Sequence, residues 1–195
     1  MAFNISEFRT RLNRDGARPN LFEVTMNFPA NVVLGSGTAS TEFTFMCKTA
    51  QLPGSTVGSV VVPYFGREVK FAGNRTFPDW SVTIINDEDF MIRNAFERWM
   101  GGINSHFGNR RNASFGTPNS YTVDATVTQF GKTGNKVKVY QFIGMYPIDV
   151  SPIDVDWGAN DTIEEFAVTL QYQYWISNTT DRITSGQNVA PAGER

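Results

Sequence analysis

The sequence predicts a mainly β fold, a sandwich or partly open barrel, with one α-helix at its side. Three observations predict it. Apolar and polar residues alternate in segments spread along most of the chain, the signature of half-buried strands. Aromatic residues make up 13% of the chain, 16 of them Phe, which suits the pleated surfaces of sheets. One segment alone, around residues 86–102, carries a long and convincing helical period.

In chain order, Ile5, Phe8 and Leu12 stand at helical spacing and predict a short helix over 5–13, capped by Asn4 or Ser6. So short a helix needs something to pack on, such as a neighbouring subunit. Residues 21–28 alternate, with Phe22, Val24, Met26 and Phe28 on one face. A loop over 29–41, with Gly35-Ser36-Gly37, separates them from a second strand over 42–47, so the pair reads as a hairpin with a long tip. Residues 48–59, with Pro53-Gly54 and Gly58, read as a flexible loop between strong strands. Strands follow over 60–65 and 67–72, with Pro63 marking an edge, a bulge or a strand start.

Residues 80–85 form the next strand, with Trp80, Val82 and Ile84 on one face. The helix then begins at an Asn86 N-cap with Asp87, Glu88 and Asp89 at its positive end. It carries the stripe Ile92, Ala95, Phe96 and Trp99 and stops at Gly101-Gly102. A polar loop covers 103–119. Strands over 121–130 and 136–143 flank the turn Gly131-Lys132-Thr133-Gly134. Residues 147–157 read as irregular. A long last strand places Phe166, Val168, Leu170, Tyr172 and Tyr174 on one face and Ala167, Thr169, Gln171, Gln173 and Trp175 on the other. This organises the chain as an N-terminal arm (1–17), a β domain (18–176) and a polar C-terminal tail (177–195) that orders, if at all, in an assembly.

Composition and motifs argue against chemistry. There are 17 Lys plus Arg against 19 Asp plus Glu, a net charge of −2, with no dense basic stripe to grip phosphates. The one cysteine, Cys47, excludes an intrachain disulfide and reads as a small buried hydrophobe. No apolar run approaches the ~18 residues of a membrane span, and the start lacks a signal-peptide pattern, so synthesis in the cytoplasm without membrane anchoring is expected. The single histidine, His106, lies in a Gly/Asn loop with no partner close in sequence. Asp149, Asp154, Asp156 and Asp161 do not follow a calcium-loop spacing, and adjacent strand residues Glu164 and Glu165 point to opposite faces. No catalytic, cofactor or metal site is expected. Arg67, Lys70 and Arg75, interleaved with Phe65, Phe71, Phe77 and Trp80, suit an oligomer interface better than a nucleic-acid surface, given the acidic total.

Five stretches in order carry a resemblance. They are Arg18-Pro19-Asn20-Leu21-Phe22-Glu23-Val24; residues 43–54, from Phe43-Thr44-Phe45 to Leu52-Pro53-Gly54; and Arg67-Glu68-Val69-Lys70-Phe71-Ala72-Gly73-Asn74-Arg75-Thr76-Phe77-Pro78-Asp79-Trp80 with Ile84-Ile85-Asn86-Asp87-Glu88. Gly144-Met145-Tyr146-Pro147-Ile148-Asp149-Val150 is the fourth, and Val155-Asp156-Trp157 with 166–170 and Tyr174-Trp175 the last. Together the set resembles the tail tube proteins of contractile-tailed bacteriophages, and its most specific part is 67–88.

The resemblance implies a structural virion protein of the viral tail. Six subunits form a homo-hexamer ring, their inner sheets join into one continuous β-barrel, and rings stack inside a contractile sheath for DNA ejection. Implied partners are the tail sheath protein, the baseplate, the tail terminator and genomic DNA passing without sequence-specific binding. By resemblance, 48–59 orders between rings. Candidates for oligomer and inter-ring contacts are Lys48, Pro53, Gly54, Val57, Arg67, Lys70, Arg75, Phe77 and Trp80. Candidates for the lumen face are Thr122, Asp124, Thr126, Thr128, Thr169, Gln171 and Gln173, with a neutral to acidic lumen expected. Competing readings are the tube of a phage-derived injection or type VI secretion machine, a baseplate tube-initiator protein and, from another class, a glycan-binding β-sandwich.

Overall fold

The computed structural model describes residues 5–12, 16–32 and 38–179. The elements are α1 (Ile5–Arg11), β1 (Phe22–Met26), α2 (Thr38–Met46), β2 (Cys47–Ala50), β3 (Thr56–Tyr64), β4 (Arg67–Thr76) and β5 (Trp80–Ile85). They continue with α3 (Met91–Ile103), a 3-10 turn (Ala113–Phe115), α4 (Pro118–Tyr121), β6 (Val123–Phe130), β7 (Lys136–Val150), β8 (Glu165–Gln171) and β9 (Tyr174–Ser177). Every ladder is antiparallel. The mainly β prediction holds, and the described chain forms no closed barrel of its own.

The body is two four-stranded sheets that share β7. Sheet A runs β1-β6-β7-β9 and sheet B runs β7-β8-β5-β2. The change of sheet happens at one corner. Phe142 and Pro147 of β7 are both buried although five residues apart, an odd separation that strict alternation forbids. Across the ladder Leu170, paired with Pro147, and Trp175, paired with Phe142, are also five apart and also face the core. Both strands therefore exchange faces together. Gly144 sits at the corner with φ 67°, a left-handed backbone that favours glycine, and a Cβ there would stand 3.1 Å from Gln173 Cγ.

This corner corrects the single long strand expected over 166–175. Tyr172 and Gln173 interrupt it, so Trp175 turns inward and Tyr174 outward, the reverse of uninterrupted alternation. It also corrects the irregular reading of 147–157, since β7 continues to Val150 with Pro147 opposite Leu170.

The core between the sheets is built from Val24 and Met26, Trp80, Val82 and Ile84, Ala125 and Val127, Phe142 and Met145, and Phe166, Val168 and Leu170. One side is filled by an aromatic cluster in which Phe28 meets Phe43, Phe96 and Trp99 edge-on, with ring centroids 5.0–6.0 Å apart. Trp99 is fully buried, and its indole N–H donates to the Tyr121 carbonyl at 2.7 Å.

Helix α2 replaces the strand expected over 42–47. Phe43, Phe45 and Cys47 alternate, but Ala39, Phe43 and Met46 also fit the helical period. Burial decides between them: Ala39 and Phe43 enter the core while Phe45 stays exposed. The Ser40 hydroxyl accepts from the Phe28 N–H at 3.1 Å and ties the helix to the end of β1. Residues 33–37 of the predicted loop 29–41 lie outside the described residues, as do 180–195 of the predicted tail.

Helix α3 presents the predicted stripe, with Ile92, Ala95, Phe96 and Trp99 buried, but both of its ends differ from expectation. It starts at Met91, and Asn86 does not cap it. Asn86 instead pairs with Glu164, its N–H donating to the Glu164 carbonyl at 2.8 Å and its Nδ2 to Oε2 at 3.0 Å. Gly101 and Gly102 lie inside the helix. Gly102 serves close approach: a Cβ there would fall 2.4 Å from the buried Phe115 ring.

Candidate functional site

β3 and β4 pair only with each other. Every residue of the two strands is exposed except Gly73, which is half-buried, so this hairpin stands off the body as an arm. At ~3.3 Å per residue the ten residues of β4 extend roughly 30 Å. The register Val60↔Phe71, Val62↔Val69 and Tyr64↔Arg67 places Val60, Val62, Tyr64, Val69 and Phe71 on one face, with Arg67 at its tip end. The other face carries Ser59, Val61, Pro63, Glu68, Lys70 and Ala72. A two-stranded ribbon is marginal alone, and an apolar sheet face requires a cover. Among the described residues, none covers this arm.

The tip turns through Phe65 and Gly66, both with positive φ (43° and 81°). Two such residues between paired Tyr64 and Arg67 make the type I′ turn that suits a twisted hairpin. Asn, Asp or Gly normally occupy its first position. Here Phe does so, with its ring 92% exposed and edge-on to Tyr64 at 4.6 Å. A bulky residue kept in a left-handed conformation while its ring contacts mostly water is strain without local compensation.

Two tryptophans pin the arm's base. The Trp80 indole N–H donates to the Gln51 carbonyl at 2.7 Å, and the Trp175 indole N–H to the Gly54 carbonyl at 3.0 Å. Trp80 is 2% exposed and stacks at a tilt on Phe142, so it belongs to the subunit core and is withdrawn as a contact candidate. Phe77, half-buried, leans on Tyr172 with centroids 6.1 Å apart. Pro53 and Gly54 lie in the base loop. Val57, Arg67, Lys70 and Arg75 are all exposed on the arm. Lys48 lies on β2 with its Nζ 2.5 Å from Glu165 Oε1.

The expected loop 48–59 is thus mostly strand. Residues 48–50 complete β2 and 56–59 begin β3, because the alternating Thr and Val residues from Thr56 find partners in β4. Only 51–55 lie between the two strands.

The outward faces of the two sheets carry small polar residues, joined on sheet A by Val139 and Ile176. Sheet A presents Glu23, Thr25, Asp124, Thr126 and Gln141, with Asp124 Oδ1 accepting from the Gly144 N–H at 3.0 Å, while Thr128 on the same face is buried at 5% exposure. Sheet B presents Thr49, Ser81, Thr83, Ala167, Thr169 and Gln171. Asp124, Thr126 and Thr128 therefore share one face, and Thr169 and Gln171 share the other. A single channel wall can use only one set. Thr122 and Gln173 belong to neither strand face: Thr122 closes α4, its hydroxyl donating to the Pro118 carbonyl at 2.9 Å, and Gln173 occupies the corner.

Among the described residues no three His, Cys, Asp or Glu side chains are grouped to hold a metal ion. His106 borders a shallow hollow with Asn94, Arg98 and Phe115. Cys47 is buried, and the loss of solvation pushes its thiol up to about 12. Sequence reasoning missed the arm as a free-standing unit. The only signal for it was the Gly58 and Gly73 pair, whose backbones approach closely enough that a Cβ on Gly73 would lie 3.1 Å from the Gly58 carbonyl oxygen.

The phage tail tube protein family matches residues 17–178. The tail tube protein gp19 of Enterobacteria phage T4 is 36% identical over 162 residues, covering 83% of this chain and 91% of its own length. The tail tube protein of Serratia phage KSP90 is 27% identical, covering 89% of this chain and 97% of its own. Among solved structures, a chain of the anti-feeding prophage baseplate shares the fold with a TM-score of 0.58 at 11% identity, covering 83% of this chain and 94% of its own. With most of its length inside that match, the chain belongs to the phage tail tube protein family and is a structural component of the virion tail.

Proposed function

We propose that six copies close into a ring, that rings stack as the inner tube of a contractile tail, and that genomic DNA passes through its lumen when the sheath contracts. The observation that carries this reading is the arm: an exposed ribbon with one apolar face, strained at its tip and covered by none of the described residues of its own subunit. A homopolymer supplies the cover. Its permanent contacts should bury more than ~2,000 Å². The sheath, the baseplate and the tail terminator are the partners that such a tube meets.

Sheet B supplies the channel wall. The arm follows β2 and precedes β5, so it prolongs that edge pair along the strands, and added copies extend sheet B. Its outward face is Thr, Ser, Ala and Gln, with exposed Asp149 opposite Thr169. Lys48, at its margin, is already paired with Glu165. DNA would find few phosphate anchors there and slide. Asp124, Thr126 and Thr128 then face the sheath side.

Concentrated protein viewed by negative-stain electron microscopy should show hollow rings or stacked tubes of uniform bore. In tubes made from Thr126→Cys subunits, a maleimide coupled to a folded protein too large for the bore should label the thiol. In Thr169→Cys tubes the same reagent should fail, although it labels the free subunit. The reverse pattern moves the channel to sheet A. Subunits that stay monomeric at every concentration, and on added tail baseplates, overturn the conduit itself.

A further inference from the structure

A second unfinished surface lies at the other end of the charge scale. The segment 151–164 between β7 and β8 contains Asp154, Asp156, Asp161 and Glu164 and no Lys or Arg. It also displays Val155, Trp157 and Ile163 at 83%, 102% and 72% exposure. The alternation Asp154-Val155-Asp156-Trp157 puts carboxylates directly beside two strongly exposed apolar side chains of the body. Asp156 fixes the local turn by accepting from the Gly158 N–H at 2.9 Å. A Trp with no intramolecular cover, rimmed by acid, has the composition of an interface centre.

The arm is its complement. Strands β3 and β4 carry Arg67, Lys70 and Arg75 against Glu68 alone, and their apolar face is of the same aliphatic and aromatic kind. We propose that the apolar face of the arm, centred on Val62, Val69 and Phe71, docks on the 151–164 segment of a second copy. There it covers Val155 and Trp157 and sets Arg67, the one cation on that face, against Asp154 and Asp156. This rests on the self-assembly proposed above and names the surface that receives the arm. Two different complementary surfaces on one chain form a heterologous contact, the kind that repeats head to tail and generates rings or filaments. Opposite charges also fix which surfaces meet, because two arms or two acidic segments repel.

Engineered disulfides test the pairing. Phe71→Cys protein is mixed with Trp157→Cys protein under mild oxidation, and disulfide-linked pairs are counted on non-reducing gels and identified by mass spectrometry. Buried Cys47, with its thiol pushed up to about 12, contributes little background. The control replaces the second partner with Phe107→Cys, since Phe107 is equally exposed at 106%. The expected result is at least tenfold more 71–157 than 71–107 linkage. Equal yields overturn the pairing whether or not tubes are present. Micrographs of the same samples separate that failure from a failure of assembly: tubes without preferred 71–157 linkage retain the tube and refute the docking surface.

Discussion

Replacing Phe65 with Asn separates the cost of the arm's tip from its use. Phe65 holds φ 43° in a two-residue turn, and its ring is 92% exposed. A left-handed backbone costs an ordinary residue about 1–2 kcal/mol, and Asn, which visits that region readily, recovers much of this. Almost no packing is lost in the free subunit. Urea unfolding of the monomer should therefore show Phe65→Asn unchanged or more stable by up to about 1 kcal/mol. Assembly should respond in the opposite sense. A Phe ring buried against a neighbour contributes about 1.5–3 kcal/mol, and each 1.4 kcal/mol is a factor of ten. The critical concentration for rings or tubes, read by light scattering or sedimentation, should rise about 10- to 100-fold. A variant that loses monomer stability by more than about 0.5 kcal/mol, or that assembles like the parent, refutes the reasoning that the strain is kept for docking.

In Trp99→Phe, the Tyr121 carbonyl loses its indole donor in a fully buried site, and ring volume is lost beside Phe28 and Phe96. The monomer should lose about 2–4 kcal/mol, seen as a urea midpoint lower by about 1–2 M. A loss below about 0.5 kcal/mol would contradict the structural account of that bond. Cys47 should resist thiol reagents in the native subunit at about pH 8 and react on unfolding. Its folded thiol is raised from 9.0 to about 12, so the stability gained by burying the neutral form is complete below pH 9.0 and is lost as pH climbs toward about 12. Between those limits the parent should lose more stability than Cys47→Ala, and parallel slopes would count against the burial argument.

What the sequence disclosed depended on how many periods each segment could satisfy. Trp80–Ile85 satisfies only the two-residue period and was legible to the residue. The α3 stripe satisfies only the helical one. Residues 38–47 satisfy both, and the choice was made by tertiary contacts of Phe43 with Phe28 and Phe96 that no local window contains. The corner at Gly144 was hidden for another reason. Tyr172 and Tyr174 continue the apolar alternation of 166–170 in sequence, so nothing local marks the change of face there. The arm was hidden because Val60, Val62, Val69 and Phe71 have the pattern of core strands. Period two reports that a face is destined for burial but not whether the cover comes from the same chain. Of the lumen candidates, Asp124, Thr126 and Thr128 lie on sheet A and Thr169 and Gln171 on sheet B, a division into two sheets that a sequence cannot show.

The arm's direction is an output of the core. Its strands pair only with each other, so the base decides where they point. That base is held by the Trp80 and Trp175 indoles, which donate to Gln51 and Gly54. Trp80 is locked against Phe142, and Trp175 sits edge-on to Tyr140 with centroids 5.5 Å apart. Phe142 and Tyr140 lie on β7 just before the corner at Gly144, the point that also sets the two polar faces apart. The same few buried rings therefore aim the arm and place the proposed channel wall relative to it. A ring that closes needs a fixed angle between a subunit's outgoing and receiving surfaces. In this chain that angle is carried by interior side chains, which are close-packed and resist small adjustments. The arm itself, a two-stranded ribbon with an exposed apolar face, is left marginal until a neighbour covers it.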